Sequence, residues 1–119
     1  MRPGRNAMGA DMTRYVLIES RDPFASTTFG RRCELAATLQ ADGADVTLFL
    51  VENAVLGARA TARPQALGKL ARQQVQVLAD EFALRERGIG AGEILPAVRP
   101  VGLETLVELL AGGARATWN

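Results

Sequence analysis

Three short apolar runs constrain this chain more than any other feature: RYVLIES (Arg14 to Ser20), ADVTLFLV (Ala44 to Val51) and VQVLA (Val75 to Ala79). They are rich in β-branched residues, carry almost no polar alternation, and read as strands buried on both faces. The stretches between them carry helical spacing. From Ser26 or Thr27, either a credible N-cap, a helix is expected to run to about Ala41. Its apolar stripe is Phe29, Cys33, Ala36 and Ala37, broadened by Leu35 and Leu39, with Arg31, Arg32, Glu34 and Gln40 mostly outside. Gly43 supplies its left-handed end.

After the second strand comes the longest irregular stretch, ENAVLGARATARP, with room for one helical turn. Pro64 at a helix first turn then suits a helix from about Arg63 to Gln73. The third strand runs straight into a short helix opened by Asp80 and stopped at Arg87-Gly88. A glycine- and proline-punctuated connection follows, with an extended piece expected at Ala97 to Val101. GLETLVELLAGG (Gly102 to Gly113) is an amphipathic helix expected to turn Leu103, Leu106, Val107 and Leu110 inward and Glu104 and Glu108 outward. ARATWN reads as a final edge strand.

Strand and helix alternate throughout. The expected fold is therefore α/β: one domain with a mostly parallel sheet of about four or five strands, right-handed crossovers and helices on both faces. Ligands of such sheets bind outside the carboxyl ends of the strands. The residues falling there are Arg21 and Asp22, then Glu52 and Asn53, then Asp80 and Glu81. Ordinary turn residues collect at the same places, so the structural reading stands beside the functional one.

Composition excludes several functions. A formal charge of +1 with scattered arginines gives no electrostatic case for nucleic acid. The absence of histidine removes Ser-His-Asp and Cys-His machinery and most zinc sites. Nothing in the spacing singles out a metal or a cofactor. One cysteine, Cys33, makes no internal disulfide and points to a reducing, cytoplasmic compartment. No apolar run is long enough for a membrane span. Met1 to Asp11 lacks an apolar h-region and reads as a disordered tail or a misplaced start, with Met12 a credible beginning. Residues 1–12 are thus assigned to the tail and 13–119 to the domain.

The order of these pieces, ADGADVTLFLVENAV, then VQVLADEFALRERGI, then VRPVGLETLVELLAGGARATWN, resembles the small DsrE/DsrF/TusD-like sulfur-relay family from about Arg14 to Asn119. The resemblance implies a compact α/β domain in a trimer or hexamer, homomeric or mixed with DsrE-like paralogues, working with a sulfur-carrier protein. In active members it also implies a cysteine at the strand-to-helix junction, eight residues before the glycine of RG, that carries a persulfide. Counting back from Gly88 lands on Asp80. An acid thus stands where the family keeps its sulfur.

Asp80 suits the electrostatics of a helix N-terminus as a thiolate would, but it forms no sulfur–sulfur bond. The expectation is a non-catalytic member, an oligomeric accessory or scaffold subunit, with Asp80 an N-cap. The functional reading has Asp80 with Glu52 or Asp22 binding a cation or a partner's basic patch. Two alternatives stay open. One is an active sulfurtransferase using Cys33, although its mid-helix apolar position favours a small inert hydrophobe. The other is a small-ligand or nucleotide module at the strand ends, against which count the lack of G-x-G-x-x-G or a P-loop and the placement of RGIGAG after a helix. Arg85 and Arg87 complement the short helix's dipole or meet a neighbouring subunit. Trp118 is expected to anchor a subunit contact or the core.

Overall fold

Residues 13–61 and 66–119 are described by a computed structural model. The tail assigned to residues 1–12, and the helix start assigned to Arg63 and Pro64, lie outside the described residues. Among the described residues five strands form one sheet: β1 (Arg14–Glu19), β2 (Asp45–Leu50), β3 (Gln76–Asp80), β4 (Val98–Val101) and β5 (Arg115–Trp118). Their order is β4-β3-β2-β1-β5 and every neighbouring pair is parallel. The described helices are α1 (Phe29–Ala41), α2 (Ala66–Arg72), α3 (Glu81–Glu86) and α4 (Leu103–Ala111). The register Glu19↔Leu50 and Leu50↔Ala79 brings the carboxyl ends of the three predicted strands to one rim.

The apolar runs are continuous because both sheet faces are buried. Leu17, Val46, Leu48, Leu50, Val77 and Ala79 face α1, α2 and α3 in the larger core. Val16, Ile18, Phe49, Val51 and Leu78 face the other way, where Leu106 and Leu109 of α4 pack on them. β2 is central and Leu48, Phe49 and Leu50 are all fully buried. The irregular stretch after β2 is a 3-10 helix over Glu52–Ala58, and a second spans Ala91–Glu93. An antiparallel bridge between Arg59 and Ile94 ties these two connections together.

The structure corrects several expectations. α4 is rotated from its predicted setting: Leu106 and Leu109 pack inward, while Leu103, Val107 and Leu110 are exposed, Val107 by 63 %. Hydrophobicity alone does not choose between two overlapping apolar stripes on a nine-residue helix, and contact with Phe49 and Leu78 does. Helix α1 begins at Phe29 with Thr28, rather than Ser26 or Thr27, at its N-cap; the Ser26 hydroxyl accepts from Thr28 N at 3.1 Å and closes a turn ahead of it. Leu35 is exposed, whereas Gln40 is buried and its Oε1 accepts from Val46 N at 2.8 Å. Gln40 thereby satisfies a backbone donor that the sheet leaves open at the start of β2. Trp118, 65 % exposed, is no anchor of this chain's own core.

This inversion has a measurable result. Gln40→Ala strands a buried amide and is expected to cost about 1–3 kcal/mol, whereas Leu35→Ala costs less than about 1 kcal/mol. Urea denaturation of the two variants gives the order opposite to the one their hydrophobicity suggests.

Candidate functional site

The rim gathers the predicted residues; Asp22, Asn53 and Asp80 are engaged locally, while Glu52 and Glu81 are exposed. At the exit of β3, Asp80 is the N-cap of α3: its Oδ1 accepts from Phe82 N and its Oδ2 from Ala83 N, both at 3.3 Å. The side chain is buried and helix-capping, a role worth about 1 kcal/mol. Glu81 beside it is exposed and begins the helix. At the exit of β2, Glu52 is exposed and holds φ at 49°, the left-handed region that non-glycine residues visit uncommonly. Asn53 Oδ1 accepts from Arg87 Nε at 3.1 Å and from Arg87 Nη2 at 3.0 Å, joining the β2 exit to the end of α3. Arg87 Nη1 also reaches Ala83 O at 3.2 Å, so it serves the helix C-terminus as its position suggests.

At the exit of β1, Asp22 Oδ1 accepts from Phe24 N at 2.9 Å in a local turn. Pro23 then packs over Gly57 in the 3-10 segment; a Cβ built on Gly57 would come within 3.0 Å of Pro23 Cγ. A side chain at 57 would have to push Pro23 aside by a few tenths of an ångström, which glycine avoids. Asp22, Glu52, Asn53, Asp80 and Glu81 therefore share one rim without forming one cluster. Among the described residues no group of three Asp, Glu, Cys or His side chains is placed to hold a metal ion. The glycine-rich RGIGAG is committed as well. Gly88 ends α3 in the left-handed region at φ 66°, and Gly90 N donates to Glu93 Oε1 at 2.7 Å. A phosphate would have to displace that carboxylate.

Sequence reasoning missed the group that dominates the β1 exit. Glu19, only 1 % exposed, pairs with Arg32 of α1, and its other carboxylate oxygen accepts from Asn119 Nδ2 at 3.0 Å. A single charged residue closing an apolar run was the available signal, and it reads equally well as a solvated strand end.

Cys33 lies away from the rim. It borders a groove of about 240 Å³ between α1 and α2, whose walls include Ala37 and Leu70, with Glu34 and Lys69 also at its edge. The thiol is nonetheless 5 % exposed. Burial first, then the negative charges of Glu19 and Glu34, push it up to about 12. The thiolate that metal binding or sulfur attack requires is disfavoured at every ordinary pH.

Among the described residues no helix is long and apolar enough to cross a membrane. A family model described as DsrE/DsrF-like matches residues 14–116. No curated protein matches the sequence. Among solved structures, the YchN protein from E. coli superposes with a TM-score of 0.82 at 22 % identity, over 91 % of this chain and 100 % of that one. A protein of unknown function from Methanobacterium thermoautotrophicum, MTH1491, gives 0.79 at 19 % identity, over 90 % and 99 %. BT1422 from Bacteroides thetaiotaomicron, also of unknown function, gives 0.74 at 16 % identity, over 89 % and 94 %. These likenesses are of fold.

The buried thiol predicts a pH dependence with a definite sign. Unfolded, Cys33 ionises near 9.0; folded, it keeps its proton to about 12. The unfolded state therefore loses the proton first, so this contribution to stability is intact below about pH 9 and falls by about 1.4 kcal/mol per pH unit above it. Urea denaturation between about pH 8 and pH 10.5 should show a steeper alkaline loss for the wild type than for Cys33→Ala.

Proposed function

Because the chain belongs to the DsrE/DsrF-like family, we propose that it is a non-catalytic member: an accessory or scaffold subunit in cytoplasmic sulfur transfer or sulfur oxidation. One observation carries the reading. The strand-to-helix junction that the resemblance assigns to the sulfur-bearing residue holds Asp80 as a bonded N-cap, while the sole cysteine is sealed into α1 with a suppressed thiolate. The junction keeps the geometry for stabilising an anion at a helix start and lacks the atom that would carry sulfur.

The subunit works in an assembly. Leu103, Val107 and Leu110 lie on one flank of α4, and Trp118 follows on the edge strand on the same side of the sheet; all are exposed large apolar residues. A patch of this kind on a small domain supports a contact with a second copy of the chain. A trimer or hexamer is the form proposed, homomeric or mixed with a DsrE-like paralogue, with a sulfur-carrier protein as its client. The groove beside Cys33 favours the second reading, an active sulfurtransferase. Rapid, selective alkylation of the folded protein at Cys33, abolished in Cys33→Ser, would establish that reading and overturn the first.

Two measurements check the proposal. Incubated with a low-molecular-weight persulfide donor, the wild type should acquire no sulfane sulfur, and Asp80→Cys should acquire one per chain. In that variant the introduced thiolate attacks the outer sulfur of the donor, a sulfur–sulfur bond forms, and the donor leaves as its thiolate. Light scattering should give the wild type a trimer or hexamer mass, which Val107→Glu lowers by placing a charge in the contact.

A further inference from the structure

What holds β5 to the sheet is almost wholly polar. Its residues, Arg115 to Trp118, are all exposed, so no apolar side chain of the strand is buried to anchor it. Its far end is fixed instead by a cluster at the exit of β1. Asn119 N donates to Ile18 O at 2.8 Å, and Asn119 O accepts from Ser20 N at 2.7 Å and from Ser20 Oγ at 3.0 Å. The Asn119 carboxamide nitrogen donates to Glu19 Oε1 and to Thr28 Oγ1, each at 3.0 Å. Glu19 Oε2 accepts from Arg32 Nε, and Arg32 Nη2 crosses to Thr117 Oγ1 on β5 at 2.8 Å. The groups at 19–32 and at 117–119 meet only through the fold.

We propose that this cluster is a latch. Glu19 is the positioning residue that decides whether β5, and Trp118 with it, stays on the sheet. A buried carboxylate is costly unless its oxygens are bonded, so the departure of Asn119 leaves Oε1 orphaned and the latch engages or releases as one unit. Segments held by hydrogen bonds rather than buried apolar area open locally while the core stays closed. The core here closes without β5: both apolar clusters are built from β1 to β4, the helices and the turn before β5. On the assembly reading above, release of β5 also withdraws Trp118 from the proposed contact, and only that consequence rests on that reading.

Hydrogen exchange on the full chain tests the latch, with the Ser20 and Asn119 amides as reporters. The Val51 amide, which donates to Glu19 O on the β2 side, is the control. Asn119→Ala removes the carboxamide and leaves the Glu19–Arg32 pair in place; Glu19→Gln removes the charge. Both are expected to accelerate exchange at Ser20 and Asn119 by roughly ten- to a hundredfold, as loss of a hydrogen bond to a charged group implies, while Val51 stays within about twofold of wild type. Acceleration spread evenly over the sheet, or none at the two reporters, overturns the latch. Should Glu19→Gln fail to fold, Asn119→Ala decides the matter. Light scattering on the same samples separates the two ideas. A lower assembled mass for Asn119→Ala supports the coupling and an unchanged mass sinks it, while a monomeric wild type sinks the assembly reading and leaves the exchange result to judge the latch.

Discussion

A parallel sheet leaves no face for water, and everything in this molecule answers to that requirement. β2 sits in the middle with Phe49 on one side and Leu48 and Leu50 on the other, and each side has to be roofed. Among the described residues the first side receives α4 alone, stretched over the crossover that joins the two edge strands, β4 and β5. The second receives three helices and a 3-10 segment. A nine-residue helix roofs the Phe49 side with Leu106 and Leu109 and leaves the flank of Leu103, Val107 and Leu110 uncovered. The exposed apolar surface is thus a by-product of topology: one helix carries a load that elsewhere in the fold is shared.

At the carboxyl rim the two buried carboxylates, Asp80 and Glu19, find partners as buried polar groups must, and exposed neighbours pair as well. Asp80 commits its carboxylate to α3, Asn53 and Arg87 bind each other, Gly90 holds Glu93, and Glu19 holds Arg32 and Asn119. Of the side chains that read in sequence as a receptor for something else, Asp22, Asn53 and Asp80 are held by their own surroundings, while Glu52 and Glu81 face solvent.

The sequence made some of this legible and hid the rest for physical reasons. The strands announced themselves because burial on both faces removes alternation, and Asp80 announced itself as a cap because capping is settled within three residues. The rotation of α4 stayed hidden because its apolar positions outnumber what one sheet face receives. Gln40 looked solvated because a long polar side chain at the end of a helix usually is; only the open amide of Val46 makes it an interior residue. The Glu19–Arg32–Asn119 cluster joins positions at opposite ends of the domain, and nothing local marks them as neighbours.

Gly57 and Pro23 carry a mechanical implication. The pyrrolidine ring seats directly on a backbone with no side chain, so the segments leaving β1 and β2 touch with no compressible layer between them. The turn after β1 and the 3-10 segment after β2 therefore share one packing contact, and a change in the length of either would disturb it.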